Sequence, residues 1–141
     1  MKDIVATYKN ELRNLVSLQK QVDDLNSRIE DIWYILTGVR GIDPSRTRVS
    51  SNPSVSEEKR LEMEDQIEHL TREKERIESN ISYIRQILQL MPRDIRDACI
   101  LIYAKGEKYS KVAMMQYRST GSLQRAINSS IEQALNRYRY R

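Results

Sequence analysis

The chain has 141 residues, of which 39% are hydrophobic and 31% are charged, with no Phe and a formal net charge of +4. This composition is low in apolar residues for a compact globule and is typical of long, solvated helices beside a small core. The single cysteine, Cys99, excludes a disulfide framework or a cysteine-based metal cluster within one chain.

The first predicted element covers residues 1–37. Its apolar side chains recur at alternating spacings of three and four, and Glu11 interrupts the pattern. A stripe sustained over about four to five heptads predicts a coiled-coil helix that ends near Thr37. The members of this stripe are Ile4, Tyr8, Leu15, Leu18, Val22, Leu25, Ile29, Ile32 and Leu36.

A change of composition marks residues 38–56 as a flexible linker. This segment contains Gly, Pro, Ser and Thr at a density that precludes a regular helix. Arg40, Arg46 and Arg48 make it basic. Two interpretations stay open, namely a phosphate contact and a solvated loop without a binding role.

Residues 57–91 are predicted to form the second coiled-coil helix. Ser54 precedes Glu57 by three positions, as in a capping box, so we expect the helix to begin in this region. Lys74 is a polar interruption of its stripe, which again alternates by three and four. The stripe consists of Met63, Ile67, Leu70, Ile77, Ile81, Ile84, Leu88 and Met91.

The linker permits the two long helices to pack as an antiparallel hairpin. We therefore predict an all-α fold, in which a long antiparallel coiled-coil helical hairpin is followed by a small C-terminal helix-turn-helix domain. A hairpin leaves part of each stripe exposed, which favours a homodimer or a higher homo-oligomer. The alternative is a monomer in which the first helix folds onto the C-terminal domain. The predicted oligomerisation residues are Leu15, Leu18, Val22, Leu25, Ile29, Ile32, Ile67, Leu70, Ile77, Ile81, Ile84 and Leu88.

Residues 92–141 carry the helix-turn-helix pattern. Pro92 should end or kink the long helix because proline lacks an amide donor. The apolar spacings beyond it predict three helices, and the last one follows a polar turn that ends at Ser119. A recognition helix inserts its first turns into the major groove, so we expect DNA contacts between Ser119 and Asn128. The candidates for base edges are Thr120, Ser122, Gln124 and Arg125.

Charge is distributed unevenly along the chain. Residues 57–78 contain nine acidic and five basic side chains, whereas residues 93–141 contain ten basic and four acidic ones. Because Lys and Arg replace counterions on a phosphate backbone, the basic end is the expected DNA-binding end. The predicted phosphate contacts are Lys108, Lys111, Arg118, Arg137, Arg139 and Arg141.

Residues 90–135 contain a series of short motifs in a fixed order. They are Met91-Pro92-Arg93, the segment from Tyr103 to Gly106, Val112-Ala113, Ser119, Leu123 and Ala134-Leu135. With these motifs, residues 90–135 resemble region four of bacterial sigma factors. The layout of coiled coil, linker, second helix and C-terminal domain is similar to phage-encoded sigma-like regulators of the ArpU and RinA type. This resemblance implies a transcription regulator in the host bacterial cytoplasm that binds double-stranded DNA and contacts RNA polymerase.

Two classes of function compete. The first is a DNA-binding regulator, and the second is a coiled-coil adaptor or inhibitor whose domain binds a host protein and no DNA. Departures from the sigma pattern at Lys111, Tyr117 and Ala126 favour the second class. The sequence lacks nucleophile triads, phosphate-binding loops and paired catalytic carboxylates, so we expect no enzyme activity, cofactor, metal site or small-molecule substrate. It also lacks an apolar run of the ~18 residues that a membrane helix needs, so we expect no membrane partner.

Overall fold

The computed structural model describes residues 3–38 and 55–139. All regular structure in these ranges is helical, which confirms the all-α class. A π-helical turn, Ile100–Ala104, continues α4 directly. Within the described ranges, no helix combines the length and the apolar character needed to cross a bilayer. The helices are α1 (Ile4–Arg13), α2 (Leu15–Thr37), α3 (Glu57–Gln89), α4 (Arg93–Cys99), α5 (Tyr109–Met115) and α6 (Thr120–Arg139).

The chain divides into two compact units. The terminal unit consists of Met1–Leu18 and Asn80–Arg141, and the middle unit is Gln19–Ser79. Helices α2 and α3 each contribute residues to both units. The predicted ranges 1–37, 38–56, 57–91 and 92–141 have their boundaries at predicted helix ends. The compact units are different, because their boundaries fall within the two longest helices.

Asn14 separates α1 from α2, where the sequence predicts one continuous helix. Its amide is shared between the carbonyls of Asn10 and Glu11, at 3.2 Å each, which tightens the last turn of α1. At the other end of α1, the Asp3 carboxylate accepts hydrogen bonds from the amides of Val5 and Ala6. The first segment is thus a capped ten-residue helix followed by a second helix.

Helix α1 belongs to the core of the terminal unit. Tyr8 and Leu12 are at most 1% exposed, and Leu12 lies outside the stripe predicted from the sequence. The Tyr8 hydroxyl donates a hydrogen bond of 2.8 Å to the Ile84 carbonyl in α3. Helix α1 therefore packs as in the alternative considered above, in which the first helix folds onto the C-terminal domain. The buried core around it comprises Ile84, Ile87, Leu88, Met91, Ile95, Ala98, Cys99, Ile102, Tyr103, Val112, Ala113, Leu123, Ile127, Ile131 and Ala134.

The end of α3 is fixed to the start of α4 by Arg96. Helix α3 ends at Gln89, and the amides of Leu90 and Met91 then bond to carbonyls three residues earlier. The Arg96 guanidinium donates to the carbonyls of Leu88 and Met91 at 3.1 and 3.2 Å. Helix-terminal carbonyls without a partner would be costly, so this arginine stabilises the sharp turn at Pro92.

The middle unit contains the remaining parts of α2 and α3. Apolar side chains from both helices are buried there, namely Val22, Leu25, Ile29, Trp33, Leu36, Ile67, Leu70 and Ile77. Arg28 and Ile32 of α2 line one groove together with Asp65 and His69 of α3. Residues of the two helices therefore lie side by side in this unit.

We predict that Leu12→Ala lowers the free energy of unfolding by about 2–5 kcal/mol, because it opens a cavity in a fully packed core. Urea denaturation followed by circular dichroism measures this change. Val16→Ala is the matched control, because Val16 is 61% exposed and its truncation should cost less than ~1 kcal/mol. Equal losses in the two variants would contradict the placement of α1 in the core.

Candidate nucleic-acid interface

Helices α5 and α6 are joined by a short turn that local hydrogen bonds define. The amide of Arg118 bonds to the Ala113 carbonyl at 2.9 Å. The Ser119 hydroxyl accepts from the amide of Ser122 at 3.1 Å and so caps α6. Val112, Ala113 and Leu123 are buried between these helices and the rest of the core. Helix α5 begins at Tyr109, directly after Lys108.

Tyr117 occupies the centre of this turn in a left-handed conformation, with φ of +56°. A side chain in this region costs of order 1–2 kcal/mol, and glycine normally fills it. The Tyr117 side chain is 98% exposed, so packing contacts do not offset this cost. Tyr117, one of the three residues that depart from the sigma pattern, therefore adopts a backbone conformation that glycine normally adopts in turns.

The outward face of α6 presents most of the predicted base-contacting residues. Thr120, Gln124, Arg125 and Asn128 are exposed along its first turns, and the spacing of four residues aligns Thr120, Gln124 and Asn128 in one row. Ser122 is half-buried, and its amide is used by the Ser119 cap. Arg125 extends back along the helix, since a Cβ built on Gly121 would lie 3.5 Å from its Nη1 atom.

Several predicted phosphate ligands already have partners within the chain. Arg118 pairs with Asp94 at 2.6 Å, and Lys111 pairs with Glu107 at 3.2 Å. Arg137 donates to the Leu90 carbonyl at 3.4 Å. Exposed pairs of this kind are weak, typically below ~1 kcal/mol, so a phosphate group can replace the carboxylate. Each of these three side chains thus already makes a contact within the chain, which a bound phosphate would have to replace.

Lys108 and Arg125 differ from those cations. Both are exposed, and neither forms an ion pair with another residue in the described part of the chain. Arg139 lies exposed at the end of α6. Arg141 lies outside the described residues, as do Arg40, Arg46 and Arg48 of the predicted linker. Lys108 and Arg125 are therefore the cations whose charge is most directly available to a ligand.

Lys9 of α1 lies beside Arg125 and Asn128 of α6, and the sequence did not predict this position. Its Nζ atom donates to the side-chain oxygen of Asn128 at 2.5 Å, and both residues line a shallow polar cleft with Arg125. Lys9 and Arg13 are each placed 5.5 Å from the ring centre of Tyr103. Burial lowers the pKa of Lys9. No sequence signal could have revealed this contact, because it depends on the packing of α1 against α6.

The predicted oligomerisation residues are largely covered within one chain. Nine of them are buried, namely Val22, Leu25, Ile29, Ile67, Leu70, Ile77, Ile81, Ile84 and Leu88. Leu15, Leu18 and Ile32 are half-buried. Among the described residues of the middle unit, the large apolar side chains that are exposed are Tyr34, Ile35 and Leu61.

The described residues contain no group of three or more His, Cys, Asp or Glu side chains placed to hold a metal ion. Cys99 is fully buried in the core, and burial raises the pKa of its thiol to about 12. Comparison with known proteins found no family model, no curated protein and no solved structure that matches the chain. The resemblance to sigma region four therefore stays a prediction.

We predict that Tyr117→Gly raises the free energy of unfolding by about 0.5–1 kcal/mol, because glycine relieves the left-handed strain. Tyr117→Ala serves as the control, since it removes the exposed ring and keeps the strained backbone. Urea titrations of the three proteins provide the comparison. A stabilisation of the same size in both variants would show that the ring, and not the backbone, is unfavourable.

Proposed function

We propose that this protein is a sequence-specific DNA-binding regulator of transcription whose α6 enters the major groove. The observation that carries the proposal is the exposed row of Thr120, Gln124, Arg125 and Asn128 in the first turns of α6. Arg and Asn or Gln side chains are suited to hydrogen bonding with guanine and adenine edges. The Ser119 cap fixes the start of α6, and the buried side chains of α6 hold the helix against the core, so the row has a fixed position.

Phosphate contacts complete the proposed interface. Lys108 lies just before α5, so it is suited to bind the backbone at the edge of the groove. Arg118 and Lys111 would exchange their carboxylate partners for phosphate oxygens when DNA binds. Each of these two cations loses an intramolecular ion pair when it binds phosphate, which offsets part of the binding energy. We therefore expect them to contribute less affinity than Lys108 and Arg125.

The finer architecture and biological role follow from the sequence resemblance. We infer that α5, the turn and α6 act as a region-four-like helix-turn-helix, and that α2 and α3 form an antiparallel coiled-coil hairpin. The groove shared by Arg28, Ile32, Asp65 and His69 supports this pairing. The resemblance of residues 90–135 supports a regulator of phage or prophage genes that contacts RNA polymerase in the bacterial cytoplasm.

The recognition face can be tested with point variants of the full chain. Deleting residues 92–141 would remove most of the core that holds α1, so its effect on binding would be ambiguous. Duplexes are first selected from a random-sequence pool with the wild-type protein. We predict that Arg125→Ala weakens binding to the selected duplex by about 1–3 kcal/mol in fluorescence anisotropy. Arg72→Ala, on the exposed surface of α3, should leave binding unchanged.

A salt titration of the same complex distinguishes DNA binding from the rival function. Phosphate contacts require that log K falls linearly with log salt concentration. The rival, a protein-interaction module, is favoured by the exposure of Met114 and Met115 at 77% and 59% beside Tyr117. Failure to enrich any duplex, or equal affinities of wild type and Arg125→Ala, would reject the proposed recognition face.

We also propose that the protein forms a homodimer, although nine of the twelve predicted oligomerisation residues are buried within one chain. We infer that two chains associate through exposed apolar side chains of the middle unit, where Leu61 is 53% exposed. Sedimentation equilibrium at micromolar concentration should give a dimer mass for the wild type and a monomer mass for Leu61→Glu. A monomer mass for the wild type would remove the dimer. A dimer mass for both proteins would place the interface elsewhere.

A further inference from the structure

An apolar cleft lies in the terminal unit, away from the outward row on α6. Its volume is about 390 Å³, which falls in the range of small-molecule sites. Ile4 and Tyr8 of α1, Tyr83 of α3, and Leu135 and Tyr138 of α6 form its walls. Three separate helices therefore line one cleft, and Arg139 is the single predicted DNA contact among its described lining residues.

One acidic group stands on this apolar wall. Glu11 lines the cleft, and none of the described residues forms an ion pair or donates a hydrogen bond to its carboxylate. Burial raises the pKa of Glu11, which means that the site disfavours an unpaired negative charge. A cation bound at this position would offset that cost.

The remaining walls also favour a positive charge. Tyr83 and Tyr138 lie with their ring centres 5.2 Å apart at 73°, in an edge-to-face pair. Tyrosine ring faces attract organic cations, and the last turn of a helix carries partial negative charge on its free carbonyls. Leu135, Asn136 and Tyr138 come from the last turns of α6. Arg139 also lines the cleft, and its charge opposes the binding of a cation.

We propose that this cleft binds a small hydrophobic amine in its ammonium form. The ammonium group pairs with Glu11 and lies against the tyrosine rings, and an aromatic or branched aliphatic body contacts Ile4 and Leu135. Because Arg139 repels positive charge, the ligand should carry a single ammonium group that lies beside Glu11 and away from Arg139. Because α6 also carries the recognition row, such a ligand would be an effector and not a substrate.

Isothermal titration of the full chain at pH 7 tests this site with 2-phenylethylammonium as the probe. We expect saturable binding of the cation with a dissociation constant on the order of millimolar or tighter. The anion 3-phenylpropionate, of nearly the same size, should not bind measurably. Thermal unfolding of each variant establishes that the fold is intact, and no DNA is present, so the outcome is independent of the proposed DNA binding.

Variants assign the binding to the cleft. Glu11→Gln keeps the shape of the side chain and should weaken binding about tenfold, because it removes a charge-assisted hydrogen bond. Tyr138→Leu should weaken it as well, through loss of the ring. Glu132→Gln, an exposed carboxylate on α6 outside the cleft, should not change it. The site is rejected if the probe does not saturate, if the anion binds equally, or if Glu11→Gln and Glu132→Gln behave alike.

Discussion

A buried hydrogen bond from Tyr8 to the carbonyl of Ile84 joins positions 76 residues apart. Both residues are at most 1% exposed, so this contact fixes the position of α1 against α3 within the terminal unit. A buried hydroxyl without a partner would cost about 1–3 kcal/mol, which opposes any shift of α1 along its axis. Because the same core holds Val112 and Leu123, the packing beneath α5 and α6 also depends on this contact.

Asp94 connects this core to the turn between α5 and α6. Its carboxylate accepts from Arg118, and its backbone carbonyl accepts from the Gln116 side chain at 2.8 Å. The start of α4 therefore holds the turn in place from outside the two helices that the turn joins. Under the proposed DNA binding, a phosphate bound to Arg118 would compete with Asp94 for the guanidinium and would therefore change the contacts that hold the turn.

Local patterns predicted the helices well and their long-range contacts poorly. The α5–turn–α6 segment and its Ser119 cap are specified within a few residues, as is the pair between Glu107 and Lys111. The inclusion of α1 in the terminal unit was not predictable, because Tyr8 fits a coiled-coil stripe as well as it fits a core. The contacts of Lys9 with Asn128 and of Arg118 with Asp94 follow from tertiary packing, which spacing in the sequence does not encode.

The discontinuity of the terminal unit affects how the protein is made. Residues 3–18 leave the ribosome long before residues 80–139, with which they form one core. Contacts of such high sequence separation form slowly and only after the distant segment has been synthesised. Nascent chains that stop before α6 cannot complete the core of the terminal unit. Premature termination would therefore leave incompletely packed fragments that are open to proteolysis.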